Sequence, residues 1–153
     1  KRQAYTVVLK RSLMQYPVFK HVLRSLNPIV VDRTNPRQDF KTVMEEGLAN
    51  LKNNISVLIF PQTTRDLFFN PKKFNTLGVK LAKRANVPVI PVAVKTDFWG
   101  MGRWLKDFGK IDPAKPVRVS FGEPVHISGN GKTEHRSTVE FIGSKLEAWK
   151  YSK

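Results

Sequence analysis

The 153-residue sequence predicts an α/β fold with a mixed, mostly parallel central sheet flanked by helices. Three features indicate this: short apolar runs without polar alternation, helical periodicity between the runs, and prolines or polar clusters at their carboxyl ends. An apolar run without alternation is typical of a strand covered on both faces, as in a parallel sheet. Because 41% of the residues are hydrophobic, the chain can bury one substantial core, and we expect a single domain over residues 1–153.

The first half of the chain predicts alternating strands and helices. Strands are expected at residues 5–9, 28–33 and 55–60, with helices at 17–26 and 34–54. The second helix carries apolar residues at intervals of three and four and lies between two apolar strands. A strand, a helix and a second strand in this order form the crossover unit of a parallel sheet.

The second half predicts two further strands and two further helices. A helix is expected at residues 77–85 and another at 138–149. The strand at 87–94 contains two prolines, each of which removes a ladder donor, so an irregular or edge strand is expected. The run at 116–122 alternates apolar and polar residues, which indicates a half-exposed strand near the sheet edge. The aromatic, glycine-punctuated stretch 96–110 suits a loop facing a membrane or covering a substrate, or one binding single-stranded nucleic acid.

The central strand opens into a candidate ligand loop. Residues 55–60 end at Pro61, which cannot donate to a sheet ladder. One amide, two hydroxyls and one guanidinium follow in succession: Gln62, Thr63, Thr64 and Arg65. Ligands of open α/β sheets bind beyond the carboxyl ends of strands, and an arginine fork suits phosphate or carboxylate. The pattern predicts an anion-binding loop; the alternative is a capped turn with a solvated arginine.

The charge of the chain is strongly positive. Lys and Arg number 27 against 12 Asp and Glu, a formal net charge of +15. Such a surface attracts nucleic acid, an anionic lipid face or a small phosphorylated substrate, although basic residues can also serve solubility alone. No apolar run approaches the roughly 20 residues of a membrane span. The absence of Cys excludes disulfides, thiolate metal sites and a cysteine nucleophile.

The remaining motifs indicate neither a nucleophile nor a metal centre. The three histidines, His21, His126 and His135, lie in no recognisable Ser or Cys nucleophile motif and lack metal-ligand spacing. Gly100 and Gly102 lack the residues that complete a nucleotide-binding loop. From the residues alone we expect an anion site in a basic α/β domain, without metal or cofactor and without a complete catalytic set.

Three ordered segments resemble conserved blocks of the glycerophospholipid acyltransferases, the lysophosphatidic acid acyltransferase family. Residues 31–33, 59–66 and 87–92 resemble its second, third and fourth blocks, and the similarity extends over residues 10–124. The third block usually reads Phe-Pro-Glu-Gly-Thr-Arg-Ser, and the fourth is a Val-Pro-Ile-Val-Pro-Val string. Asn27 stands where a glycine is common in the second block. Three blocks in order are more specific than any single one, and they imply a glycerol-3-phosphate acyltransferase-like fold.

The resemblance implies transfer of a fatty acyl group from an acyl-CoA or acyl-ACP donor to the hydroxyl of a lysophospholipid acceptor, lysophosphatidic acid. The reaction would take place on an anionic membrane surface, at the cytoplasmic face, with this chain bound peripherally. Arg33 falls on the block-two arginine, and Thr64 and Arg65 fall on the block-three Thr-Arg pair. These residues would hold the acceptor phosphate, with the two guanidinium groups converging from neighbouring strand tips. Gln62 replaces the usual Glu and Thr63 the usual Gly, which leaves the acceptor identity open.

The first block of the family is missing from the sequence. In the family, a His lies five positions before an Asp; the His is the general base for the acceptor hydroxyl, and the Asp orients its ring. No His of this chain has an Asp five positions later. Because that block lies upstream of the second, we expect the C-terminal part of an acyltransferase, truncated at its N-terminus and inactive alone. The alternative is a non-catalytic module that binds anionic lipid or nucleic acid. The sequence carries no signal for oligomeric state.

Overall fold

The computed structural model describes residues 4–16, 20–62, 68–98, 100, 102 and 109–151. Its strands are β1 (Tyr5–Lys10), β2 (Ile29–Val31), β3 (Ser56–Leu58), β4 (Val92–Lys95) and β5 (Arg118–Phe121). Its α-helices are α1 (Lys20–Ser25), α2 (Pro36–Lys52), α3 (Leu77–Ala85) and α4 (Lys132–Tyr151), and 3₁₀ helices occupy Arg11–Gln15 and Pro71–Lys73. The chain forms two compact units: unit 1 is Lys1–Thr63 with Asn75–Val87, and unit 2 is Thr64–Phe74 with Pro88–Lys153. The single-domain organisation stays a prediction.

Unit 1 contains a three-stranded parallel sheet in the order β2-β1-β3. Val8 lies opposite Ile29 in one pairing, and Val7 lies opposite Leu58 in the other. The central position of β1 agrees with its burial, since consecutive residues that point to opposite faces of the sheet, Thr6 and Val7, are both buried. Thr6 is a buried polar residue of this strand, and its hydroxyl donates to the carbonyl of Asn27 at 2.8 Å. The predicted parallel crossover is therefore confirmed, with β1 between the two strands that α2 connects.

Strand β3 differs from the prediction that it is covered on both faces. It pairs with β1 as an outer strand of this sheet, and successive side chains point to opposite faces. Val57 packs against the core, whereas Leu58 is 39% exposed and Phe60, just beyond the strand, is 55% exposed. The expectation was wrong because a continuous apolar run does not distinguish a central strand from an outer one.

Helix α2 begins where the sequence predicts. The side chain of Asn35 accepts a hydrogen bond from the backbone N–H of Gln38 at 3.2 Å, and Pro36 occupies the first turn. An amide cap followed by proline satisfies one free N–H group and removes another. Behind this cap, Val43 and Met44 join Ile29, Val31 and Leu81 in the core of unit 1. The cap therefore defines the residue at which α2 begins.

Helix α3 packs closely on α2 and ends at Asn86, as predicted. Asn86 adopts the left-handed conformation with φ +54°, and its N–H donates to carbonyls of the last turn. At the contact between the helices, a Cβ atom on Gly47 would lie 2.7 Å from a methyl carbon of Leu81. Gly47 thus permits the close approach that buries Leu81 in the core.

Unit 2 contains the antiparallel pair β4 and β5. Upstream of β4 the pairing reduces to a single bridge between Val89 and Val125, and the strand proper starts after Pro91. The predicted irregularity at the two prolines is confirmed. On β5 half-buried and exposed residues alternate, as expected for a half-exposed strand. These strands and the parallel sheet of unit 1, together with the helices, confirm the predicted α/β class.

Helix α4 is longer than predicted because its start carries no apolar periodicity. It begins at Lys132 instead of residue 138. The side chain of Asn130 accepts from the N–H of Lys132 at 3.0 Å, and the buried carboxylate of Glu134 accepts from the N–H of Ser128 at 2.9 Å. These capping bonds define a helix start that hydrophobic spacing cannot show.

Candidate anion-binding site

The carboxyl ends of the three parallel strands lie at one edge of the sheet in unit 1. Arg33 follows the end of β2, and Gln62 follows β3 beyond Pro61. Because β1 lies between these strands, their tips are separated by two strand spacings, about 10 Å. The expectation that the two arginines extend from neighbouring strand tips is therefore wrong in its topology. The edge itself is the one where ligands of α/β sheets bind.

Arg33 has an unusual backbone conformation. Its φ is +64°, in the left-handed region, where a side chain other than glycine costs about 1–2 kcal/mol. The other described non-glycine residues with positive φ are all asparagines, the residue type that tolerates this region best: Asn27, Asn54 and Asn86. Asn27, which stands where the resembled block commonly has a glycine, is one of these positions, with a φ of +44°. Arg33 has no such tolerance, and strained residues of this kind cluster at ligand sites.

The strained backbone of Arg33 is held by a carboxylate that sequence analysis missed. Asp39 accepts the N–H of Arg33 at 2.8 Å and the N–H of Asp32 at 3.1 Å, one on each oxygen. Asp39 lies in the first turn of α2, where the helix dipole favours a negative charge. The available signal was an acidic residue four positions after the Asn35 cap, although a capping pattern alone does not show which backbone it binds.

Asp32 makes a second set of contacts. Arg11, which follows β1, donates from Nε to one carboxylate oxygen of Asp32 and from Nη2 to the other. The bond from Nη2 is 3.3 Å long. This hydrogen bond and the charge of Asp32 raise the pKa of the Arg11 guanidinium. Both side chains are well exposed, so the ion pair adds little stability. Its effect is to hold the Asp32 side chain towards β1.

A cleft of about 390 Å³ lies beside this ion pair, between β2 and α2. Asp32, Asp39 and Glu46 contribute three carboxylates to its lining against one guanidinium, that of Arg11. An anion would be repelled there, and Arg33 is not part of the lining. The cleft is therefore not where a phosphate would bind.

Gln62 lies half-buried after β3, next to a carbonyl that is firmly bound. The backbone oxygen of Pro61 accepts from the N–H of Asn75 at 3.2 Å and from its side-chain amide at 2.8 Å. The side-chain oxygen of Asn75 accepts from the N–H of Leu77 at the start of α3. Asn75, a polar residue just before a helix, thus connects the end of the β3 segment to α3. Sequence analysis did not identify it.

Three of the predicted site residues, Thr63, Thr64 and Arg65, lie outside the described residues. The convergence of two guanidinium groups on one phosphate therefore stays a prediction. Most of the aromatic stretch 96–110 also lies outside them. Within the described ranges, no three His, Cys, Asp or Glu side chains are grouped to hold a metal ion. No helix in those ranges has both the length and the apolar character needed to cross a bilayer.

Fold and site together define an α/β protein with a parallel sheet and a basic residue, Arg33, at one of its strand tips. The chain belongs to the acyltransferase family, whose model matches residues 1–95. It is 35% identical over 143 residues to a 1-acyl-sn-glycerol-3-phosphate acyltransferase of Pseudomonas aeruginosa, covering 93% of this chain and 52% of that protein. An enzyme of the same name from Cocos nucifera is 25% identical over 135 residues, covering 88% of this chain and 42% of that protein. The resemblance of the sequence blocks is thereby confirmed.

The fold is shared with a solved structure. The crystal structure of the 1-acyl-sn-glycerophosphate (LPA) acyltransferase from Thermotoga maritima superimposes with a TM-score of 0.66 at 22% sequence identity. The match covers 98% of this chain and 58% of that one. The chain thus spans about half the length of the curated relatives it matches.

Proposed function

We propose that this protein acts in phospholipid biosynthesis, in the transfer of a fatty acyl group to the hydroxyl of lysophosphatidic acid. The donor would be a thioester of CoA or of acyl carrier protein. Membership of the acyltransferase family supports acyl transfer, and the relatives named for 1-acyl-sn-glycerol-3-phosphate support this acceptor. The acceptor differs from a neutral monoacylglycerol by its phosphate, so the site must recognise an anion.

Arg33 is the residue through which this chain would bind that phosphate. Its left-handed backbone, bound through its N–H to Asp39, is the observation that carries the proposal. A strained conformation persists where surrounding groups hold it, as Asp39 does here, and such residues cluster at ligand sites. We assign Thr64 and Arg65 to the same phosphate by their positions in the block-three motif. Gln62 and Thr63 would contact the glycerol portion.

The net charge of +15 supports binding of the protein to an anionic membrane surface. Each well-placed Lys or Arg contributes about 1 kcal/mol to such binding. We propose a peripheral position for this chain on the cytoplasmic face of a membrane, where lysophospholipid is accessible.

The 153-residue polypeptide assayed by itself is proposed to lack acyl transfer. None of its three histidines, His21, His126 and His135, has an aspartate five positions later, so the general-base pair of the family motif is not encoded in it. The same observation favours a second candidate, a module that binds anionic lipid or nucleic acid without catalysis.

Phosphate recognition is tested by binding a short-chain lysophosphatidic acid to the purified chain and to two variants. Arg33→Ala removes the proposed ligand. Arg37→Ala, on the exposed first turn of α2, removes the same charge four residues away. We expect Arg33→Ala to weaken binding about tenfold or more and Arg37→Ala to change it little, because charge-assisted hydrogen bonds are strong and local. Equal losses would indicate general electrostatic attraction and contradict the assignment. Monoacylglycerol, which lacks the phosphate, serves as the ligand control.

Catalysis and the second candidate are tested separately. Purified chain is incubated with acyl-CoA or acyl-ACP and lysophosphatidic acid, and turnover would contradict the proposed inactivity of this polypeptide. Flotation with anionic vesicles is compared with binding of single-stranded RNA. Preference for RNA over vesicles at the same salt would favour a nucleic-acid-binding module.

A further inference from the structure

We propose that Asp39 is a positioning residue for the phosphate site. It fixes the backbone of Arg33 so that the guanidinium projects towards the acceptor. The inference rests on the proposed function, because it concerns the same phosphate. It goes further in two respects: it assigns a role to a carboxylate, and it removes two backbone donors from the list of phosphate ligands.

The geometry of Asp39 explains both points. Its two carboxylate oxygens bind the successive N–H groups of Asp32 and Arg33 at 3.1 and 2.8 Å. Successive backbone N–H groups in such conformations form a concavity that binds anions. Here the protein's own carboxylate fills that concavity. These two N–H groups are therefore not available to the acceptor phosphate, and Arg33 is the residue whose backbone this arrangement holds in place.

The backbone that carries this carboxylate belongs to the first turn of α2. The N–H of Asp39 donates to the carbonyl of Asn35 at 2.9 Å, as the first helical bond of α2. Further along α2, Val43 is 1% exposed in the core of unit 1. The core thus holds α2 in place, and α2 carries the carboxylate that binds the backbone of Arg33. Without this support, Arg33 would relax to negative φ and its side chain would project in a different direction.

The test asks whether the substitution Asp39→Asn strengthens or weakens binding of the anionic ligand. Asp39→Asn removes a negative charge near the proposed site, which by charge alone would strengthen anion binding. Positioning predicts the reverse: the amide supplies one acceptor where two are needed, and affinity for short-chain lysophosphatidic acid falls about tenfold. Asp39→Glu keeps two acceptor oxygens and is expected to recover part of the affinity.

Asn35→Ala is the matched control, since it removes the side-chain cap of α2 but keeps the carbonyl that binds the N–H of Asp39. We expect it to lower the urea midpoint while retaining wild-type affinity. The hydrogen bond itself is read by NMR, as the scalar coupling between the backbone nitrogen of Arg33 and the carboxylate carbon of Asp39. This coupling and the corresponding one from the backbone nitrogen of Asp32 should both be present in the wild type, and Asp39→Asn, with a single acceptor oxygen, should lose one of the two.

The outcomes separate this inference from the proposed function. If Arg33→Ala binds as well as the wild type, the phosphate site is wrong and the role of Asp39 is wrong with it. If Arg33→Ala loses binding while Asp39→Asn binds equally or more tightly, only the positioning role is overturned. Equal losses in Asp39→Asn and Asn35→Ala would also overturn it, since the effect would then belong to the helix start.

Discussion

Replacing Arg33 by glycine should stabilise the protein relative to alanine while removing phosphate binding. Alanine is the reference because both substitutions delete the same side chain and its contacts. At φ +64° a Cβ atom costs about 1–2 kcal/mol, and glycine has no Cβ atom. Glycine loses about 0.4–1 kcal/mol more conformational entropy on folding. The difference leaves Arg33→Gly about 1 kcal/mol more stable than Arg33→Ala.

The assay is urea unfolding followed by circular dichroism, with midpoints compared at equal slope. The neighbouring exposed residue Thr34, which does not have a positive φ, supplies the control pair. There the order should reverse, and Thr34→Gly should be less stable than Thr34→Ala by about 0.4–1 kcal/mol. If glycine is the less stable substitution at both positions, the left-handed backbone at position 33 is refuted. The strain argument for its function would fail with it.

Three further measurements test the fold and the surface charge. Ile29→Ala should lower the free energy of unfolding by about 2–5 kcal/mol because Ile29 is fully buried in the core. Ile29→Val should lower it by only about 0.5–1.5 kcal/mol, and an equally small loss in both variants would contradict the packing. Glu134→Ala should cost about 0.5–2 kcal/mol through loss of the bond to Ser128 before α4, measured by thermal unfolding, and an unchanged midpoint would argue against that cap. Binding to anionic vesicles should weaken steeply from about 50 to about 500 mM salt, whereas salt-independent binding would exclude an electrostatic origin.

The elements that sequence predicts well are those whose ends carry local chemistry. The start of α2 at Asn35 and Pro36 and the end of α3 at Asn86 depend on side chains within a few residues of the boundary. The interruption of pairing before β4 similarly follows from the missing N–H of Pro91. Such signals are local, so the sequence is sufficient to read them.

The features that sequence did not predict depend on distant partners. An apolar run cannot show whether a strand is central or outer, so the exposure of Leu58 was missed. The hydrogen bond that the N–H of Arg33 donates to Asp39 joins the end of β2 to helix α2. It depends on the positive φ of Arg33, which no residue pattern specifies. The block motif predicts Arg33 as a site residue, and the structure adds how its backbone is held.

Unit 1 is built from two segments that are separated in the chain, and this has a consequence for synthesis on the ribosome. Leu81, on α3, completes a core whose other members, such as Ile29 and Val43, are translated some forty to fifty residues earlier. The intervening stretch includes residues assigned to unit 2. Until α3 emerges from the exit tunnel, the face of α2 at Gly47 lacks its covering helix. The nascent chain must therefore carry an exposed apolar surface during that interval, when aggregation or chaperone capture competes with folding.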